Sequence, residues 1–382
     1  MITPISVLRG LTAVLALLST NAVAHPQPRQ SAQAGNNNEL VQPVYRALDL
    51  GSVKPQGWLR EQLEKSATGL AGNLFYFYRY VKDSKWLGGN SEYSDLHESV
   101  PYWFNGLVPL TFGLDDLGLK DQVKSFLDHI IENQQSDGWL GPETTPQTRG
   151  LWGRCYIMLG LMFGVDWRTF FVEGTFPEVV YTPRNQAYPW LFTHGVNLAE
   201  AIRFPLAIYR TSHDEALKTQ TRTAVDLIAK FHTSVAGTII GDEAITDLNP
   251  SKGAELCTST ELMFSLAWVY QYLADNDIAD WAELTAFNAF PGKIWPDWWS
   301  HQYVQQENQP WARNLTEHPQ MWDNVGSYGN VFGLEPNYPC CTVNHPQGYP
   351  KFLANSFVGT DDGGIAHVFL SPGKSVYRFG QQ

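Results

Sequence analysis

Three cysteines and two glutamates carry the chemistry most readily read from this 382-residue chain. Cys257 closes the segment Gly253-Ala254-Glu255-Leu256-Cys257, two positions after Glu255. Cys340 and Cys341 are adjacent in Asn337-Tyr338-Pro339-Cys340-Cys341-Thr342-Val343-Asn344. Glu243 lies upstream, in Gly241-Asp242-Glu243-Ala244. Two chemistries suit the thiols. One is disulfide formation, since four cysteines allow three pairings. Neighbouring cysteines do not bridge each other without a strained ring, and a chain this long needs no covalent staples to build a core. The other is metal binding. Residues i and i+2 of an extended segment share a face, so Glu255 and Cys257 converge on one ion if the helix signalled by Thr258 and Thr260 begins just beyond Cys257. Two thiolates from the Pro-led Cys340-Cys341 loop would complete a carboxylate-plus-three-thiolate set of the kind that holds tetrahedral zinc. No CxxC pair is present, and spacing alone leaves both chemistries open. The fourth cysteine, Cys155, sits in the apolar stretch Arg154-Cys155-Tyr156-Ile157-Met158 and reads as a small buried hydrophobe.

Glu243 has the chemistry of a general acid/base for glycosidic cleavage, and equally that of a solvated loop glutamate. Composition narrows the ligand. With 38 acidic against 26 basic side chains, the net charge is -12, which argues against sequence-independent nucleic-acid binding. Charged residues make up 17% and aromatics 13%, a balance suited to a neutral ligand such as a sugar, although Trp also fills cores. A hydrophobic content of 43% excludes a disordered chain.

The elements that must position these residues read as helices. Leu59 and Leu63 mark Trp58 to Ala67. Val100 to Leu117 is apolar and interrupted by Pro101 and Pro109. Val123, Phe126, Leu127, Ile130 and Ile131 give Lys120 to Gln134 an amphipathic stripe. Leu151 to Phe163, His194 to Thr211, Ser212 to Thr233, Ala254 to Asp275 and Trp281 to Phe290 follow. Gly364 to Leu370 and Ser375 to Phe379 read as short strands around the turn Ser371-Pro372-Gly373. Long Gly-, Pro- and aromatic-rich connections fit a toroid of helix pairs with functional loops at one end, among other all-α bundles. Met1 to Ala24 reads as a secretory signal: Arg9, the run Leu11 to Leu18, then Ala22-Val23-Ala24. Residues 25–39 read as a flexible leader, and Asn314-Leu315-Thr316 as an N-glycosylation sequon consistent with export. No later stretch has 18 consecutive apolar residues, so no membrane span is expected.

The ordered set Gly241-Asp242-Glu243, Gly253-Ala254-Glu255-Leu256-Cys257 and Cys340-Cys341-Thr342-Val343-Asn344 resembles glycoside hydrolase family 127, the β-L-arabinofuranosidase-like enzymes of the six-hairpin superfamily. Tyr102-Trp103-Phe104-Asn105-Gly106, His194-Gly195-Val196-Asn197 and Gly348-Tyr349-Pro350-Lys351 are similar to other segments of that family. The resemblance runs from about Leu48 to Val368. It implies a mainly α chain with an (α/α)6 barrel over residues 40–358, and the start of a truncated β-sandwich over 359–382. It implies a Zn2+ site of Glu255, Cys257, Cys340 and Cys341. It makes Cys340 the nucleophile, Glu243 the acid/base, His194 a sugar contact and Tyr303 a substrate-side residue. The implied reaction is retaining hydrolysis of β-L-arabinofuranosyl or related linkages in plant-type glycans. Two alternatives are the same barrel with another sugar specificity, and a non-catalytic secreted carbohydrate-binding protein.

Overall fold

The computed structural model describes residues 39–150, 170–178, 193–309, 311–314 and 325–376. The expected signal peptide, nearly all of the expected leader, the helix expected at 151–163 with Cys155, Leu315-Thr316 of the sequon and the end of the last expected strand lie outside them.

Leu59 and Leu63, one turn apart, face inward on α1 (Gly57–Thr68). That helix stops at Gly69 for a steric reason. A Cβ there would stand 2.7 Å from the Lys65 carbonyl oxygen and 2.9 Å from that of Trp298, so only glycine lets the chain bend into α2 (Leu70–Phe77). In α3 (Ser99–Leu114), Val100, Trp103, Leu107 and Leu110 form the buried stripe. Both prolines expected to interrupt it lie inside: Pro101 sits in the first turn, where no N–H bond is needed, and the helix continues through Pro109. Asp116 caps α4 (Leu117–Glu132) by accepting the Leu119 N–H at 2.9 Å. Its buried side is Leu119, Gln122, Val123 and Phe126. Leu127 and Ile131, expected in that stripe, fall on its flank and are exposed.

The single helix expected from His194 is two, α5 (Gly195–Ala201) and α6 (Phe204–Ser212), parted where Pro205 offers no N–H. After α7 (Ala216–His232) comes α8 (Leu256–Leu273), buried on nearly every side and therefore central to the core. α9 (Asn276–Leu284) runs into one π turn, Thr285–Ala289. The short helices α10 (Cys340–Asn344) and α11 (Gly348–Ala354) follow. Consecutive helices pack in pairs, α3 on α4, α6 on α7 and α8 on α9, while α8 also packs on α5 and α11 and α3 on α10 and α11. Among the described residues no helix is long and apolar enough to cross a membrane.

The strands depart most from expectation. The two C-terminal strands do not form a hairpin. β1 (Arg46–Ala47) pairs with β7 (Phe357–Gly359), which pairs with β8 (Ile365–His367); β2 (Val53–Pro55) pairs with β9 (Gly373–Ser375). Ser371-Pro372-Gly373 does not reverse the chain between them: Gln56 N–H donates to the Pro372 carbonyl at 2.8 Å, and Val376 N–H to that of Ser52 at 2.7 Å. Open edges at the N-terminal end thus take up strands that would be marginal as an isolated pair. A third sheet, not visible in the alternation pattern, has the order β4 (Ala244–Ile245), β3 (Gly241–Asp242), β5 (Ala254–Glu255), β6 (Val304–Gln305). β3 and β5 run parallel and the other neighbours antiparallel. Strands of two residues carry no legible period, yet this sheet holds the chemistry.

Candidate active site and metal centre

Four of the predicted residues meet at the corner between that sheet and the helices. Glu255 ends β5 in extended conformation, and α8 begins at the next residue, so Cys257 is already helical. The expected start just beyond Cys257 is therefore two residues late. Thr260 does not cap the helix but donates back to the Leu256 carbonyl at 3.0 Å. The strand-to-helix switch, rather than a shared strand face, turns both side chains to one point. Pro339 leads into α10, whose first two residues are Cys340 and Cys341. The Cys257 sulfur lies 3.0 Å from that of Cys341 and 3.6 Å from that of Cys340. Glu255 Oε1 stands 3.8 Å from the Cys340 sulfur and 3.9 Å from the Cys341 sulfur.

None of these three thiols is in a disulfide, so all three are available as ligands. All four donor atoms lie within 4.8 Å of one another, and Glu255, Cys257 and Cys341 are buried. The group could hold a metal ion. Burial pushes the Cys257 and Cys340 thiols and the Glu255 carboxyl well above their ordinary ranges, and neighbouring thiol and carboxylate charges add to the rise at Glu255. Cys341 differs: burial works upward there too, but hydrogen bonds from Cys257 and Cys340 outweigh it and hold the thiol at about 7. Clustered anionic groups in a low dielectric ionise together only beside a cation. Glu255 Oε2 is buried with no hydrogen-bond partner, a spare lone pair on the carboxylate whose other oxygen stands against the sulfurs. Donor chemistry and the orphaned oxygen both fit a metal.

Glu243 occupies the single residue on which the chain reverses between β3 and β4, at φ +80°. Its carbonyl accepts the Gly195 N–H at 2.6 Å, while His194 bridges to Ala244 across the same gap. A non-glycine residue with positive φ is strained, and the surrounding ladder holds it there. Tyr303 precedes β6, and its carbonyl accepts the N–H of Leu256 at 2.9 Å. Its hydroxyl donates to Glu243 Oε1 at 3.3 Å and lies 3.7 Å from the Cys340 sulfur. His194 caps α5: its Nδ1 accepts the Asn197 N–H at 3.4 Å, leaving Nε2 4.0 Å from Glu255 Oε2. Burial lowers its pKa to about 4 against the pull of the Asn197 bond, so the imidazole is neutral near pH 7. The seven predicted site residues are thus gathered in one place.

The fold is that of the GH127 β-arabinofuranosidases. One solved GH127 β-arabinofuranosidase superposes with a TM-score of 0.58 at 14% identity, over 87% of this chain and 65% of that one. The GH127 β-L-arabinofuranosidase of Geobacillus stearothermophilus T6 gives 0.57 at 14%, over 81% and 66%. A third structure, a glycoside hydrolase, gives 0.53 at 11%, over 84% and 63%. The chain spans just under two thirds of the length of each. Its sequence matches no family model and no curated protein. The likeness bears out the expected mainly α (α/α)6 barrel with a short β segment at the C-terminus, and the GH127-like resemblance in fold.

Sequence reasoning missed the surroundings of Cys340. Tyr93 and Tyr338 meet edge to face at 5.2 Å between ring centres, and Tyr338 donates to the Tyr93 carbonyl at 3.4 Å. Both phenols are pushed up, first by burial and then by the neighbouring charges of Glu98 and Cys340. Tyr338 stood in the quoted Asn337-Tyr338-Pro339 segment, where adjacency to Cys340 was the available signal. Tyr93 and Glu98 lie in a loop with no motif. Lys293, three residues past the helix expected over Trp281 to Phe290, is buried against the β5–α8 corner.

Proposed function

We propose that this protein is a secreted, zinc-dependent, retaining glycoside hydrolase acting on β-L-arabinofuranosyl or related linkages of plant-type glycans. The observation that carries the reading is the Tyr303 hydroxyl, which lies between Glu243 and Cys340 beside the Cys/Glu group. It joins a carboxyl and a thiol into one reaction centre, within a fold shared with β-arabinofuranosidases. The predicted N-terminal signal supports export, and the acidic, aromatic-rich composition supports a neutral sugar.

Glu255, Cys257, Cys340 and Cys341 would hold the zinc, which supplies thiolate at neutral pH where a buried thiol would keep its proton. In the first step the Cys340 sulfur attacks the anomeric carbon. The carbon–sulfur bond forms as the carbon–oxygen bond breaks, and Glu243 gives its proton to the departing oxygen. In the second step Glu243 takes a proton from water, whose oxygen attacks the same carbon and returns the electron pair to sulfur. Two inversions give net retention. Tyr303 holds Glu243 toward Cys340 throughout, and neutral His194 offers a hydrogen-bonding edge for a sugar hydroxyl without adding charge.

The test is hydrolysis of a panel of aryl furanosides by the wild-type protein and by Cys340→Ser, with bound zinc measured in both. Release of L-arabinose by the wild type alone, with about one zinc per chain, is expected. Full activity in Cys340→Ser would remove the nucleophile. Sugar binding with no cleavage of any linkage would favour a carbohydrate-binding protein, and cleavage of a different furanoside would move only the specificity.

A further inference from the structure

Six aromatic rings run in unbroken contact from beside Cys340 to the surface. Tyr338, two residues before Cys340, meets Tyr93 at 5.2 Å between ring centres, and Tyr93 meets Tyr80 at 5.4 Å. Tyr80 meets Tyr78 at 5.6 Å, Tyr78 meets Phe77 at 6.3 Å, and Phe77 meets Trp299 at 6.2 Å. Of the six, Tyr78 alone is buried, and Tyr338, Phe77 and Trp299 are exposed. The charged side chains that touch these rings are already engaged. Arg79 lays its guanidinium over the Tyr80 ring at 4.3 Å and donates to that hydroxyl, while the Tyr78 hydroxyl donates to the Glu335 carboxylate. Uncharged rings of this kind suit the C–H face of a neutral sugar.

Trp299 is held outward by its neighbours. Trp295 N–H donates to the Ser300 carbonyl and Trp298 N–H to the Trp295 carbonyl, each at 2.9 Å, which closes a tight loop. Trp298 anchors that loop: it is buried, its Nε1 donates to Gln62 Oε1 at 2.9 Å, and its ring stacks on His345. Its φ is +64°, a costly backbone for so bulky a residue. One tryptophan is thus strained and buried while the next, 43% exposed, faces water. The loop is also tied to both sides of the candidate site. Ile294 bridges to His301, two residues before Tyr303, and His301 bridges to Gly333, on the segment that leads to Tyr338 and Cys340.

We infer that these rings form an aglycone strip: Tyr338 at the inner end, and Phe77 with Trp299 at the outer end, stack on the neutral sugars that follow the unit being removed. The inference rests on the hydrolase reading above. In that reading the oxygen protonated by Glu243 carries the rest of the glycan, which has to extend from Cys340 toward solvent. The rings run from Cys340 to solvent, so the strip is continuous with the reaction centre. The occupant it fits is an oligosaccharide rather than a single sugar.

Substrate length separates the strip from the reaction centre. Trp299→Ala and Phe77→Ala remove its outer end, and Trp299→Phe keeps a ring there. Specificity constants would be measured on the full chain for an aryl L-arabinofuranoside and for a longer arabinose-containing oligosaccharide, with circular dichroism to verify folding. The ratio of oligosaccharide to aryl furanoside is expected to fall about tenfold in Trp299→Ala, mainly through KM, and to recover in large part in Trp299→Phe. A wild-type ratio in both alanine variants would overturn the strip and leave the hydrolase reading standing. So would an oligomer that dissociates in Trp299→Ala while the ratio holds, since a second copy would then cover the outer rings. If the wild type cleaves no furanoside, the hydrolase reading falls and binding decides the strip. Quenching of tryptophan fluorescence by the oligosaccharide should then need about tenfold more sugar in Phe77→Ala than in the wild type, and equal affinity would overturn it.

Discussion

The sulfurs of Cys257 and Cys341 stand 3.0 Å apart although 84 positions separate them in the chain. No disulfide joins them, and burial raises the Cys257 thiol while the hydrogen bond from Cys257 lowers that of Cys341. Such a contact places shared charge where a cation is needed. Removing the metal should therefore weaken the fold as well as the chemistry. On the proposed zinc reading, a chelator should lower the melting temperature by several degrees and added zinc should restore it, because a group that binds only the folded chain stabilises it by mass action. Cys341→Ser should reproduce the loss permanently. Calorimetry with and without chelator checks this, and an unchanged melting curve would argue that the group holds no metal.

Glu243 is strained in order to be placed. Its φ of +80° sits on a one-residue reversal held by β3, β4 and the Gly195 N–H. Glu243→Gln preserves shape and backbone but donates and accepts no proton, so turnover of unactivated glycosides should fall about 10²- to 10⁴-fold. Aryl glycosides with acidic leaving groups need no protonation to depart, so their first step should be nearly spared and a sugar attached to Cys340 should accumulate. Mass spectrometry of the intact protein after mixing would reveal it. Equal losses on both substrate types would take the acid role from Glu243.

How much of this was written in the sequence varies with the physics. Helix positions were legible where apolar residues recur at helical spacing, as with Leu59 and Leu63, because burial sets that period. The grouping of Glu255, Cys257, Cys340 and Cys341 was legible only in part: Glu-x-Cys and Cys-Cys are local pairs that show in the residue names, but spacing alone left disulfides open, and the family resemblance singled out a metal. The strand-to-helix switch at Leu256 was not, since Thr258 and Thr260 look like caps until tertiary contacts assign Glu255 that place. The sheet holding Glu243 and Glu255 was invisible because two-residue strands have no period. Lys293 and Tyr93 matter only through contacts made across long loops, and no spacing rule reaches that far.

Gly106 ties α3 to the cysteine-bearing turn. A Cβ at this position would stand 2.7 Å from both Cα and Cβ of Gln347, and backbone cannot yield as a side chain would. Gln347 lies between α10 and α11; its side-chain Nε2 donates to Glu261 Oε1 at 2.7 Å, while its Oε1 accepts from Asn105 Nδ2 at 3.0 Å. Gly106→Ala should push α3 away from that turn, destabilise the fold by about 1–3 kcal/mol and loosen zinc binding at Cys340 and Cys341. Gly333→Ala, where nothing lies within 4 Å of the added carbon, serves as the control. Denaturant unfolding and chelator competition measure the two effects; a Gly106→Ala protein as stable as the control would show that the close approach can relax.

Glu200 gives the fold its own pH dependence, away from the metal group. Both carboxylate oxygens are buried without hydrogen-bond partners, and the side chain faces Glu261, Arg203 and Lys351. Burial, aided by the charge of Glu261, pushes its pKa well up, and the two cations only partly oppose this. The folded state then holds a proton that the unfolded state releases above about pH 4.5. Stability from this group is complete below that point and is lost as pH rises toward the folded value. Glu200→Gln keeps the shape and cannot ionise, so it should be more stable than the wild type near neutrality, with a gap that widens from about pH 5 to pH 7.5. The window stops there because burial lowers Lys351 to about 8, and its own titration would enter above that. Thermal unfolding of both proteins across the window measures the gap. A gap that stays constant with pH would mean that Glu200 carries the same charge folded and unfolded.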